Sequence, residues 1–302
     1  MAESKRTIKN ASLIGEYENI FKCPFCSNQM HLVDLKSLIC TNRHCFDLAK
    51  QGYVNLFTHA IKTKYDKQMF NSRRVICNIG FFDPLIEKIS QLILNEIKAN
   101  GDSVKILDAG CGEGFHLSRI KEKISQSTAI DLLAVGCDIS KEGIIIAAKA
   151  HPNNIWCVAD LNKCPFKDNQ FNFILNILST ANYTEFQRML ADDGIIIKVV
   201  PDSSYLQELR QIFYEKTDKA SYTNNQTVEL FKNNLSFVDM QRVQYSVPID
   251  NTTIEHLIHM TPLSWGTTES QWQRALEMNL KEITIDLTIL VGKKKGLLQN
   301  LL

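Results

Sequence analysis

The chain has 302 residues, 34 Lys and Arg against 33 Asp and Glu, 44% hydrophobic residues and 22% charged ones. That balance excludes an intrinsically disordered chain and a uniformly basic nucleic-acid binder, and the length suggests about two domains. No apolar run reaches the roughly 18 residues needed to span a bilayer, and Met1 to Asn10 lacks the apolar core of a signal peptide, so a cytoplasmic protein is expected.

Charge is uneven along the chain. Residues 1–100 carry 14 Lys and Arg against 9 Asp and Glu, whereas residues 101–302 carry 20 against 24. The basic half is densest where Arg43, Lys50, Lys62, Lys64, Lys67, Arg73 and Arg74 face only Asp47 and Asp66. Phe46, Tyr53, Phe57, Tyr65 and Phe70 are interleaved with them. Cations neutralise phosphates and aromatic rings stack on unpaired bases, so this stretch is a candidate RNA-binding segment.

Nine cysteines are an odd number, which argues against a complete disulfide framework. Cys77, Cys111, Cys137, Cys157 and Cys164 are scattered through later elements and read as buried thiols. Cys23, Cys26, Cys40 and Cys45 instead lie close together, with His44 among them. A Cys-x-x-Cys turn followed by a second ligand pair, across two short strands at His31–Val33 and Ser37–Ile39, is a zinc-ribbon layout. Cys23, Cys26 and Cys40 are firm ligands. On spacing alone the fourth is either His44 or Cys45.

From Ser103 the pattern becomes alternating strand and helix, which predicts an α/β, Rossmann-like doubly wound sheet. Val104–Asp108 reads as a strand, followed by Ala109-Gly110-Cys111-Gly112-Glu113-Gly114 and a helix over Phe115–Lys123. A second strand at Leu132–Cys137 ends in Asp138, and Ser140 caps the next helix. A third at Ile155–Ala159 ends in Asp160. Phe171–Leu178 is a fourth strand, followed by a helix over Thr184–Leu190 that stops at Asp192-Asp193-Gly194. Ile195–Val200 is the fifth strand. The tail adds a helix near Tyr205–Tyr214 and strands at Phe237–Val247 and Ile283–Val291.

In such sheets the ligand lies at the carboxyl ends of the strands. The glycine loop departs from the dinucleotide pattern, with Phe115 where the third glycine belongs. Asp108 and Glu113 flank it and would repel a pyrophosphate, but not a sulfonium and an ammonium. The loop residues Asp108, Gly110, Gly112, Glu113 and Gly114 therefore suit S-adenosylmethionine (SAM). Asp138 would accept the ribose hydroxyls, and Asp160 would sit near the adenine amino group.

The ribbon, the string Phe46–Leu56 and the loop Asp108–Gly114 together resemble the bacterial 23S rRNA guanine-N1 methyltransferases of the RlmA type, from about residue 20 to near the C-terminus. The resemblance implies zinc ligands Cys23, Cys26, Cys40 and His44. It implies that Phe82, in Gly80-Phe81-Phe82-Asp83-Pro84, packs over SAM. It also places Tyr205 and Leu206, in Tyr205-Leu206-Gln207-Glu208-Leu209, at the cofactor. It further implies guanine N1 in a hairpin of 23S rRNA as the methyl acceptor, and a homodimer.

The expected organisation is an N-terminal arm over residues 1–20, flexible in character, and a ribbon over 21–60. A basic helical linker over 61–100 and a methyltransferase domain over 101–302 follow. No residue nominates itself as the general base. Two other readings remain at this stage: a small-molecule methyltransferase, and a non-catalytic RNA-binding protein with a vestigial body.

Overall fold

Alternation of apolar strands with amphipathic helices from Val104 onward builds a sheet that is covered on both faces. In the computed structural model the backbone is described for residues 2–58, 66–97, 103–215, 217 and 220–296, and side chains from Thr7. Lys62 and Lys64 lie outside the described residues.

The strands fall in two sheets. The smaller one orders β1 (Met30–Val33), β2 (Ser37–Cys40) and β3 (Cys45–Asp47) as an antiparallel meander, which is the ribbon. The larger is eight-stranded, built from β4 (Val54–Asn55), β5 (Val104–Ala109), β6 (Leu132–Asp138), β7 (Ile155–Val158), β8 (Phe171–Ile177), β9 (Leu190–Pro201), β10 (Ser236–Pro248) and β11 (Glu282–Lys293). Its order is β10-β11-β9-β8-β5-β6-β7-β4, parallel from β9 to β4, with the β11 and β10 edge antiparallel. The chain leaves β5 toward β6 on one side and returns at β8 on the other. That reversal opens a crevice at the carboxyl end of β5, where the glycine loop begins.

Helices α3 (Asp83–Glu96), α4 (Phe115–Ser127), α5 (Lys141–Ala150) and α7 (Gln207–Tyr214) bury their apolar sides in one core layer. α6 (Tyr183–Met189) and α8 (Asn225–Asn234) cover the opposite face. α2 (Lys67–Asn78) leans on α9 (Asn251–Met260), and α10 (Glu269–Glu277) follows in the tail.

Several expectations change. The first twenty residues are not a flexible arm: α1 (Ala2–Glu16) is helical and buries Ala11 and Ile14 completely. Ile14, with Ile20 and with Phe21 and Leu38 of the ribbon, shares one core with Leu133, Cys157 and Phe166 of the body. Within the described part of the expected linker, Leu85, Ile86, Ile89 and Ile93 of α3 sit in the body's core. The stretch Asp192–Gly194 does not end an element. β9 runs through it, because a register shift between Phe171 and Phe173 lets those residues bulge from the ladder. α7 starts at Gln207 rather than Tyr205, since Leu206 has a positive φ of 51° and cannot continue a helix. α8, α9, α10 and the short β4 have no counterpart among the sequence expectations.

Candidate cofactor site and metal centre

In the ribbon, two tight turns aim four ligand atoms at one point. Ser27 and Arg43 take positive φ values of 62° and 63°, closing the turns after Cys23 and Cys40 with Ser27 N–H to Cys23 O and Arg43 N–H to Cys40 O bonds of 2.8 Å. The Sγ atoms of Cys23, Cys26 and Cys40 and a ring nitrogen of His44 all lie within 4.8 Å of one another. Cys26 Sγ and Cys40 Sγ are 3.7 Å apart, and His44 Nδ1 is 3.4 Å from both Cys23 Sγ and Cys40 Sγ. A zinc tetrahedron with bonds of about 2.3 Å to sulfur and 2.0 Å to nitrogen has edges of about 3.7 and 3.5 Å. The donor set therefore fits zinc in both chemistry and size. Cys45 faces solvent, with its thiol 3.7 Å from Asp47 Oδ1, so the geometry selects His44 as the fourth ligand.

In the body, the glycine loop follows β5 directly. Gly110, Gly112 and Gly114 all have positive φ, at 87°, 55° and 78°. A Cβ on Gly110 would lie 2.0 Å from Ser179 Oγ, and one on Gly114 would lie 2.3 Å from the Trp156 ring. Gly136 of β6 faces the same indole at 2.2 Å, so Trp156 forms a floor that only glycine tolerates at both positions. Its Nε1–H is satisfied by His151 O.

Asp138 closes the loop from the second strand end, accepting Gly112 N–H at 2.8 Å and Ser140 N–H at 2.7 Å. Ser140 in turn caps α5 through Gly143 N–H. Burial pushes the Asp138 carboxyl up, and these N–H groups pull it back. Asp160 accepts Asn162 N–H just past β7. Asp108 and Glu113 are buried; Asp108 Oδ1 and Glu113 Oε2 have no hydrogen-bond partner among the described residues, and Glu113 Oε1 is ion-paired with Arg73 Nε at 3.0 Å. Burial raises Asp108 to about 7, with Arg73 opposing and Asp138 and Glu113 adding. Buried anionic oxygens beside a glycine cradle are what a cationic ligand such as SAM requires. The site thus fits that cofactor.

Phe82 is buried at the start of α3, edge-on to His116 with ring centroids 4.8 Å apart. Tyr205 is also buried, and burial raises its hydroxyl strongly. The Leu206 side chain is in the core, its N–H donates to Thr284 O and its carbonyl accepts Arg210 N–H.

The basic residues divide. Arg43, Lys50, Lys67 and Arg74 are exposed. Arg73 is not on that surface: its guanidinium turns inward, 3.0 Å from Glu113. The sequence reading grouped it with the phosphate contacts. The helix pattern shows why it separates, since Met69, Phe70, Ile76 and Cys77 place position 73 on the buried face and position 74 outside. Beside the loop, a cleft of about 440 Å³ is lined by Arg74, Cys77, Glu113, Phe115, Arg119 and His151, among others.

Sequence reasoning also missed a buried polar link under the site. Lys198 of β9 donates to Asn176 Oδ1 and to Ser179 O, and Asn176 Nδ2 donates to Ala109 O and Thr180 O. A lysine in an otherwise apolar strand is the signal that could have revealed it.

Residues 21–63 match the family model described as RlmA, N-terminal, and residues 106–194 match a methyltransferase domain model. The chain is 42% identical, over 91% of its own length and 98% of the relative's, to YxjB of Bacillus subtilis, which carries the name of a 23S rRNA (guanine-N1)-methyltransferase. The chain belongs to that RlmA-type methyltransferase family. It is also 27% identical to the 23S rRNA (guanine(748)-N1)-methyltransferase of Streptomyces fradiae, over 89% of this chain and 95% of that one. As an RlmA-type enzyme it uses SAM, and its ribbon is a zinc module.

Proposed function

We propose that this RlmA-type enzyme transfers the methyl group of SAM to N1 of a guanine in a hairpin of 23S rRNA. The observation that carries the reading is the union of a zinc ribbon with a methyltransferase body in one core, matched over nearly the full length of a relative of that name. The surface chemistry supports an RNA substrate. Phe25 is 57% exposed on the ribbon, stacked on Phe46 with centroids 5.8 Å apart, and Arg43 is exposed in the following turn. Lys67 and Arg74 are exposed on α2, two turns apart, and Arg74 lines the cleft that also carries Arg119. Aromatic faces of this kind stack bases, and the cations track the backbone.

SAM, when bound, supplies an electrophilic methyl on its sulfonium. The chain's residues orient it: the three glycines admit it, Asp108 and Glu113 offer anionic oxygens, and Asp138 and Asp160 flank the ribose and adenine ends. Phe82, Tyr205 and His116 keep water out on the other side. Guanine N1 must lose its proton around the time of transfer. At the acceptor loop after β8, Asn176 and Lys198 bond to each other and to the backbone, so their part is to hold the loop. Positioning of the base against the methyl group is then the main contribution. An unstacked hairpin base costs less to present than one inside a duplex.

No described helix is long and apolar enough to cross a membrane, and the reading places the enzyme in the cytoplasm with the ribosome. It extends to a homodimer whose two subunits form the RNA cleft, which sedimentation of the purified chain would test. The decisive experiment is mass spectrometry of large-subunit rRNA after incubation with labelled SAM. A methyl on guanine N1 supports the reading, and label in a small molecule or in no product at all overturns it.

A further inference from the structure

Arg73 is a charged side chain that its helix carries into the cofactor site. α2 is held at its N-terminus and along its middle: Asp66 caps it by accepting Met69 N–H at 2.8 Å, and Ser72 Oγ lies 3.2 Å from His256 Nδ1 of α9. That placement lowers Phe70 and Arg73 onto the glycine loop. A Cβ on Gly112 would lie 3.5 Å from the Phe70 ring and 3.8 Å from Arg73 Nη1. Arg73 Nε is 3.0 Å from Glu113 Oε1, and Nη2 is 3.2 Å from His116 Nδ1. Because a guanidinium only donates, His116 Nδ1 accepts and the ring is neutral. Burial and the Arg73 charge both hold His116 well below its ordinary range. The Arg73 side chain is only 22% exposed, which is unlike a residue that reaches out to a phosphate backbone.

The charges around it are asymmetric. Asp108, Glu113 and Asp138 place three carboxyls around the glycine loop, and among the groups acting on Asp108 the only cation is Arg73. SAM presents two cations, its sulfonium and its ammonium, and one anion, the methionine carboxylate. Asp108 and Glu113 answer the cations. The carboxylate needs a cationic fork on the glycine side of the site, and a guanidinium with five donors supplies it bidentately.

We propose that Arg73 is the carboxylate clamp of the cofactor site, binding the methionine carboxylate of SAM while Glu113 and His116 hold its orientation. This rests on the SAM reading above and reassigns Arg73 from substrate RNA to cofactor. It makes α2 a two-sided element: its inner face, with Phe70 and Arg73, contacts the cofactor, and its outer face, with Lys67 and Arg74, contacts the RNA.

The test compares SAM with decarboxylated SAM, which keeps the sulfonium and the amine and lacks only the carboxylate. Calorimetry on the full chain reads both affinities, with no turnover required. Wild type is expected to bind SAM about 10–100-fold more tightly than the decarboxylated analogue, the range of a charge-assisted pair. Arg73→Ala should lose most of that preference by weakening SAM alone, with rRNA affinity and its salt dependence unchanged. Where Arg73→Ala fails to fold, Arg73→Gln carries the same comparison, since it keeps a hydrogen-bonding side chain and removes the charge. Equal loss of both ligands would overturn the clamp and leave Arg73 as a support of the loop. Reduced RNA binding with SAM affinity intact would return it to the phosphate contacts. If wild type bound neither ligand, the SAM reading itself would fail; if it bound both equally, only the clamp would.

Discussion

Trp156 lies directly beneath Gly114: a Cβ at that glycine would stand 2.3 Å from the indole ring. The cofactor loop is therefore seated on a buried aromatic floor, and the seat has no room for a methyl group. Gly114→Ala should cost about 1–3 kcal/mol through overpacking and backbone strain at φ 78°. Gly266 has a similar φ of 83° but nothing within 4 Å of its Cβ. Thermal melts of both alanine variants separate strain from packing. Gly114→Ala should shift the midpoint clearly more, and equal shifts would mean that Trp156 moves aside freely.

Asp108 makes SAM affinity depend on pH. Its carboxyl is raised from an ordinary value near 4 to about 7 by burial. A raised acid adds stability that is complete below about 4 and is lost as pH rises through about 7. The cationic ligand prefers the ionised form, so the affinity runs the other way. It should climb as pH rises toward about 7 and level off above, with proton release visible as buffer-dependent heat. Asp108→Asn should flatten the profile, and an unchanged slope in that variant would place the titration elsewhere.

Metal loss should be felt beyond the ribbon. Phe21 packs on Phe166 with centroids 5.6 Å apart, and Cys23, Met30 and Leu38 share a core with the body. Cys26→Ala should lose zinc and lower the melting midpoint of the whole chain, because binding energy at such a site is folding energy. Cys45→Ala should keep one zinc per chain and melt as wild type does. Metal analysis of the two variants tests the choice of His44 directly.

Lys67 and Arg74 together should act on RNA alone. Replacing both by alanine should reduce the slope of log affinity against log salt by about 1.4, at about 0.7 for each phosphate contact to a single strand. SAM affinity should remain within twofold. An unaltered salt slope in filter binding would show that this face of α2 does not touch RNA.

Lys198 gives an alkaline signature. Burial lowers its ammonium to about 8, so the unfolded chain binds the extra proton between about 8 and 10. Stability from this group therefore rises as pH increases across that window. Lys198→Met should remove the rise and cost about 1–3 kcal/mol at neutral pH, since Asn176 Oδ1 and Ser179 O lose their donor. Chemical denaturation at pH 7 and pH 10 measures both effects.

Local chemistry determined much of this protein. The Cys and His spacing defined the metal turns, because a tetrahedron needs its ligands in pairs on tight loops. The apolar periods located the strands from Val104 to Val200, and the loop Asp108–Gly114 declared itself because its glycines are needed for positive φ and close packing. Tertiary structure decided what local pattern could not. Spacing alone leaves His44 and Cys45 open and the family resemblance implies His44; the fold of the second turn, which leaves Cys45 facing solvent, separates them in space. The docking of α2 separates Arg73 from Arg74, neighbours of equal charge about 100° apart around one helix, by burying the face that carries Arg73. The first twenty residues read as an arm because α1 is mostly polar, with few apolar positions in its sequence. Its order comes from Ile14 meeting a core supplied by the ribbon and by strands more than a hundred residues away. Burial, charge pairing and pKa all depend on such distant neighbours, and the linear sequence does not say who they are.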